Sequence, residues 1–230
     1  MITASFSIMA VGFTLGLMHA LDADHVMAVS TLSSQKAGVM RTLRFCASWA
    51  IGHAGVLVTS GLLLFGLGWQ LPASLQHVAE LLVGLLLIGL GLYCFWRFRQ
   101  QKLRLIQHSH DEITHYHWHV EGDVTRRGHR GFPNREGHAP VMVGVVHGLA
   151  GSAPALALVP AVSQGQLSWA LIYLMVFSCG VMLSMLVFGL GLGTLQKYLK
   201  EKHLKWFHWQ QHLIAGGSVI LGGYWFSQAL

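Results

Sequence analysis

The sequence predicts an all-α polytopic membrane protein, with about six transmembrane helices arranged as two inverted three-helix repeats. Three observations predict it: long apolar runs, basic residues confined to a few connections, and a motif that recurs in the second half. Of 230 residues, 53% are hydrophobic and 10% charged, and the apolar residues run unbroken instead of forming amphipathic stripes. A bilayer core about 30 Å thick is crossed by about 20 apolar residues. Windows near 5–32, 43–69, 75–97, 140–162, 167–193 and 208–228 meet that requirement. The first window lacks a basic n-region and carries charges where a cleavage site would lie, so it reads as a retained helix. Cys46, Cys94 and Cys179 each fall inside an apolar run with no thiolate-site spacing and read as packing residues.

The connections set the orientation. All 15 Lys and Arg residues fall after the first span (Lys36, Arg41, Arg44), after the third (Arg97 to Arg135) and after the fifth (Lys197 to Lys205). Positive charge stays on the cytoplasmic side, so both termini are expected outside the cytoplasm in a multi-pass protein of the cytoplasmic (inner) membrane. The net charge of +6 then reflects topology and gives no support to nucleic-acid binding. The chain divides into a first three-helix repeat over 1–98, a cytoplasmic histidine-rich loop over 99–139 and a second repeat over 140–230.

Gly16-Leu-Met-His19-Ala-Leu in the first span recurs as Gly144-Val-Val-His147-Gly-Leu in the fourth. The third and sixth spans echo each other through Gln76-His77 and Gln211-His212, while the second and fifth match weakly. Repeats with an odd number of helices sit in opposite orientations across the bilayer.

The most informative stretch is His19-Ala-Leu-Asp22-Ala-Asp24-His25 in the first span. An ionised Asp at mid-bilayer costs roughly 2.5–3.5 kcal/mol on insertion scales, so two of them require protein, water or a cation beside them. At about 100° per residue, His19, Asp22 and His25 share an arc of about 120°, and Asp24 points elsewhere. Asp24 then supports a ligand from a neighbouring helix, or joins the ligand set where the helix unwinds. His53 and His147 lie at similar depth on other spans and can converge on the same layer. Imidazole with carboxylate suits nickel, cobalt, zinc or copper(II), and the absence of thiolate argues against copper(I).

Leu17-Met-His19-Ala-Leu-Asp22-Ala-Asp24-His25-Val resembles the HxxxxDH signature of the nickel/cobalt transporter (NiCoT) family and its wider relatives, which include nickel and cobalt exporters and urease-associated membrane proteins. Gly52-His53 and His147-Gly148-Leu-Ala-Gly-Ser152 look like further blocks of that family. The resemblance implies permease activity toward Ni²⁺ or Co²⁺, with the signature histidines and aspartates required. Zn²⁺ is not excluded by the residue types. About six spans and a histidine-rich central loop depart from the commonest importers and resemble the exporters, whose signature differs from this one, so import and export both stay open. A membrane metal sensor and an intramembrane metalloenzyme are the alternatives from other classes. The chain offers no separate nucleophile or oxyanion group, so no enzyme activity is expected, and no cofactor beyond the transported ion.

Within the central loop, His108, His110, His115, His117 and His119 alternate with other residues, a metal-binding composition that forms a secondary site. The segment is too polar to hold a core of its own. His77 with Glu80, near the outer end of the third span, and His212, near the inner end of the sixth, are vestibule candidates. The expected partners are a divalent transition-metal ion, the lipid bilayer and a cytoplasmic metallochaperone.

Overall fold

The structure, a computed structural model, describes residues 2–34, 38–68, 72–99, 102–110, 113–121, 138–150 and 166–229. Among them are seven helices: α1 (Ile2–His19), α2 (Ala23–Ser34), α3 (Val39–Leu67), α4 (Ala73–Arg99), α5 (Ala139–Ala150), α6 (Leu167–Lys202) and α7 (Leu204–Gln228). Val39–Leu67, Ser74–Arg99 and Leu167–Lys202 are each long and apolar enough to cross a membrane, and Ser7–His19 and Ala139–Ala150 are shorter apolar helices. The protein is thus a polytopic membrane protein whose membrane elements are helices. In lipid, only internally hydrogen-bonded backbone is tolerated, and these sequences satisfy that with helices. The second part of the expected fourth span, from residue 151, lies outside the described residues, as does His129 of the central segment.

The first span is not one helix. After α1 the chain tightens, with Leu21 N–H donating to the Met18 carbonyl at 2.9 Å and Asp22 N–H to the His19 carbonyl at 3.1 Å. The helix restarts where Val26 N–H donates to the Asp22 carbonyl at 3.0 Å. Asp is a favoured residue at a helix start, and Asp24 lies in the first turn of α2, where the helix dipole favours a carboxylate. The two acids thus create a helix beginning inside an apolar run. α3 ends at Gly68, whose φ of 70° gives the left-handed cap that glycine adopts without strain. Pro72, which cannot continue a helix from behind, precedes α4.

Backbone-to-backbone approach at glycines holds the bundle together. A Cβ on Gly16 would strike the Phe177 carbonyl, and one on Gly180 the Phe13 carbonyl, so α1 and α6 touch along their main chains. The second half repeats this: a Cβ on Gly144 would strike the Trp49 carbonyl, and one on Gly52 the Val141 carbonyl. Each contact in one set has its counterpart in the other at one constant offset along the chain. The central crossing of α3 and α6 obeys the same offset, with Gly61 against Leu174 and Gly189 against Cys46. Successive glycine contacts rise together along α1 and α6, Gly12 on Tyr173 and then Gly16 on Phe177, and along α5 and α3, Gly144 on Trp49 and then Gly148 on His53, but Gly61 on Leu174 and Gly189 on Cys46 run oppositely along α3 and α6. The motif helices α1 and α5 are therefore antiparallel, the relation an inverted repeat requires.

The central segment differs from a plain loop. Strands β1 (Lys102–His110) and β2 (Ile113–Glu121) pair as an antiparallel hairpin in the register Lys102↔Glu121 through His110↔Ile113. Its period-two alternation, Leu103 and Leu105 on one strand and Tyr116, Trp118 and Val120 on the other, is a strand pattern that histidine content obscures.

Gly144→Val should overpack the α3–α5 crossing and lower stability by about 1–3 kcal/mol. Gly89→Val, at a position with nothing within 4 Å, should change it by less than about 0.5 kcal/mol. Thermal unfolding in detergent checks both, and equal midpoints would refute the crossing's role.

Candidate metal centre

His19 closes α1, His25 lies in the first turns of α2, His53 sits in the middle of α3, and His147 is near the end of α5. His25, His53 and His147 are 1%, 0% and 1% exposed. The imidazoles of His19, His25 and His53 converge so that one ring nitrogen from each lies within 4.8 Å of the others. The Nε2 atoms of His19 and His53 are 3.3 Å apart. Two imidazole nitrogens bound at about 2.05 Å to one tetrahedral ion stand about 3.3 Å apart. His147 packs on the far side of His25 with ring centroids 5.2 Å apart.

The outer nitrogens of three of these rings are tied down. Nδ1 of His19 meets an Asp22 carboxylate oxygen at 2.8 Å, and Nδ1 of His25 an Asp24 oxygen at 3.2 Å. Nδ1–H of His147 donates to the Val143 carbonyl at 3.0 Å. An acceptor at Nδ1 fixes the proton there and leaves Nε2 as a bare lone pair, the arrangement carboxylates impose on metal-binding histidines. In His25 and His147 that Nε2 is buried with no hydrogen-bond partner, as is Nδ1 of His53. Buried polar atoms of this kind are normally satisfied, and a cation would satisfy several at once.

The geometry assigns the two aspartates differently from a continuous helix. The break after His19 removes the shared arc, so Asp22 and Asp24 sit beside imidazoles instead of joining them in the cluster of nitrogens. Asp22 is 55% exposed at its side chain and Asp24 15%.

Aromatic rings wall the cluster. Trp49 stacks on His25 at 5.7 Å and lies against His147 at 4.7 Å, while Phe177 covers His19 at 5.7 Å. Sequence reasoning passed over both. The available signal was their spacing: Trp49 lies one turn before His53, and Phe177 is its counterpart in the second repeat. The vestibule candidates lie apart. His77 is exposed and Glu80 half-buried near the start of α4, and His212 donates from Nδ1 to the His208 carbonyl at 2.8 Å and packs on Phe98 at 5.8 Å. In the hairpin, the register pairs His108 with His115, Ile106 with His117, Arg104 with His119 and His110 with Ile113. Strand alternation then puts all five histidines at positions of one ribbon face.

A bundle of apolar helices, broken at the level of a buried histidine cluster, defines a polytopic membrane protein with an internal cation-binding geometry. The chain belongs to the cytochrome c biogenesis protein transmembrane region family, which it matches over residues 5–225. It is also similar to the urease accessory protein UreH of Bacillus sp. (strain TB-90), with 30% identity over 188 residues, covering 81% of this chain and 76% of that protein. No solved structure matches the chain.

Asp22→Asn should weaken divalent-metal binding to the purified protein by about 10–100-fold, because an amide, uncharged and able to donate as well as accept, holds the His19 tautomer less firmly than a carboxylate. Titration calorimetry measures it, and an unchanged affinity would refute that role. Affinity should also fall as pH falls, since the imidazoles must be neutral to bind.

Proposed function

We propose that this protein is a secondary transporter that moves a divalent transition-metal ion, Ni²⁺ or Co²⁺, across the cytoplasmic membrane. The observation that carries the reading is the convergence of His19, His25 and His53, with Nε2 of His25 and Nδ1 of His53 buried without a hydrogen-bond partner. A partly dehydrated ion is held by these three, with His147 completing the set and Asp22 and Asp24 orienting the imidazoles. The NiCoT-like signature supports the choice of metal, and the similarity to a urease accessory protein fits the urease-associated members of that wider group. The inverted three-helix halves, 1–98 and 140–230, supply a frame in which a fixed central site is exposed alternately to the two sides. Basic connections on the cytoplasmic side put both termini outside. The histidine face of the hairpin concentrates the ion at the cytoplasmic surface, where a metallochaperone would exchange it.

On this reading the protein moves the ion without enzymatic turnover. Purified protein in liposomes loaded with a metal-sensitive dye should admit Ni²⁺ or Co²⁺. His19→Ala and His53→Ala should each reduce the flux to the protein-free rate, while removal of residues 102–121 should retain most of it. Absent flux with the wild type, or undiminished flux with His19→Ala, overturns the proposal.

A further inference from the structure

Beyond the histidine cluster, the polar residues of the buried interior continue in one direction along α2. Ser33 lies two turns past His25, about 12 Å farther along the helix, toward the end of the bundle that carries Arg41, Arg44 and Lys197 to Lys205. There it meets Gln196 of α6, a side chain with 0% exposure whose Nε2 donates to the Ser33 hydroxyl at 3.3 Å. The Ser33 hydroxyl in turn donates to the Ser30 carbonyl at 3.3 Å. The Gln196 carbonyl oxygen is buried with no hydrogen-bond partner. One turn earlier, Gly193 brings α6 against Thr42 of α3, itself buried. A wholly buried amide left half unsatisfied costs free energy in an apolar bundle, and nothing in helix packing requires a glutamine there.

We infer that Gln196 and Ser33 form a second, oxygen-lined resting position for the ion, between the histidine cluster and the basic end of the bundle. This rests on the permease reading above. An amide and a hydroxyl oxygen are neutral, hard donors that hold a transition-metal ion far less tightly than imidazole. An ion there is held weakly and leaves readily, and a path needs such weak sites beside a strong one if it is to release its cargo. Ions leaving the cluster therefore travel along the side of α2 facing α6.

The test uses the full chain, with Co²⁺ alone as probe, reading binding by calorimetry and flux in liposomes. Gln196→Leu should bind one ion with affinity within about twofold of wild type and carry it at least about tenfold more slowly. Gln196→Glu, of equal size but charged, should bind a second ion and also slow transport by retaining it. Wild-type flux through Gln196→Leu, loss of cluster binding together with flux in that variant, or a single bound ion in Gln196→Glu would each overturn the second position. Absent flux in the wild type would instead overturn the permease reading, and the ion count of Gln196→Glu would still decide this one.

Discussion

Imidazole nitrogens carried into a low-dielectric interior must find a proton donor, an acceptor or a cation. Asp22, Asp24 and the Val143 carbonyl draw the ring protons of His19, His25 and His147 to Nδ1, which leaves Nε2 of His25 and His147 without a partner and Nε2 of His19 facing that of His53 at 3.3 Å. The helix break between α1 and α2 serves this end, since it turns each acid toward its own imidazole. In a continuous helix Asp22 would lie on the ligand face and Asp24 opposite it. The break converts two intramembrane charges from competing ligands into fixed acceptors.

Glycine sets the positions from which these rings converge. Gly16 and Gly180 bring α1 onto α6, and Gly52 and Gly144 bring α5 onto α3, each at main-chain contact. His19 follows Gly16 by one turn, His53 adjoins Gly52, and His147 follows Gly144 by one turn. Every one of these imidazoles is thus anchored within a turn of a crossing point, where side-chain bulk cannot alter the helix separation. Such placement is stiffer than a site built on loops.

Much of this was legible in the sequence, because apolar length and intramembrane charge are strong local signals. The shared Gly-x-x-His motif marked both glycine crossings and two of the histidines, and His53 was readable from its depth. The helix break was less so. Helical phase alone keeps His19, Asp22 and His25 on one face, and only the preference of Asp for a helix start points to the interruption. The hairpin is hidden for another reason: alternating histidines read as metal-binding composition, although Tyr116, Trp118 and Val120 between them give the period of two that a strand requires. The indole and phenyl walls of Trp49 and Phe177 were invisible because aromatic residues in apolar spans have no distinguishing pattern until the offset between halves is known.

That offset also exposes an inequality. His19 has its counterpart in His147 and Trp49 in Phe177, but the counterpart of His53 on α6 is Val181, a buried apolar residue in the core. Two halves that share a backbone plan therefore contribute unequal chemistry, and the cluster sits off the two-fold axis, on the side of α3. On the permease reading, the ion would therefore meet an imidazole on the α3 side and an isopropyl group on the α6 side, whichever way the frame is open.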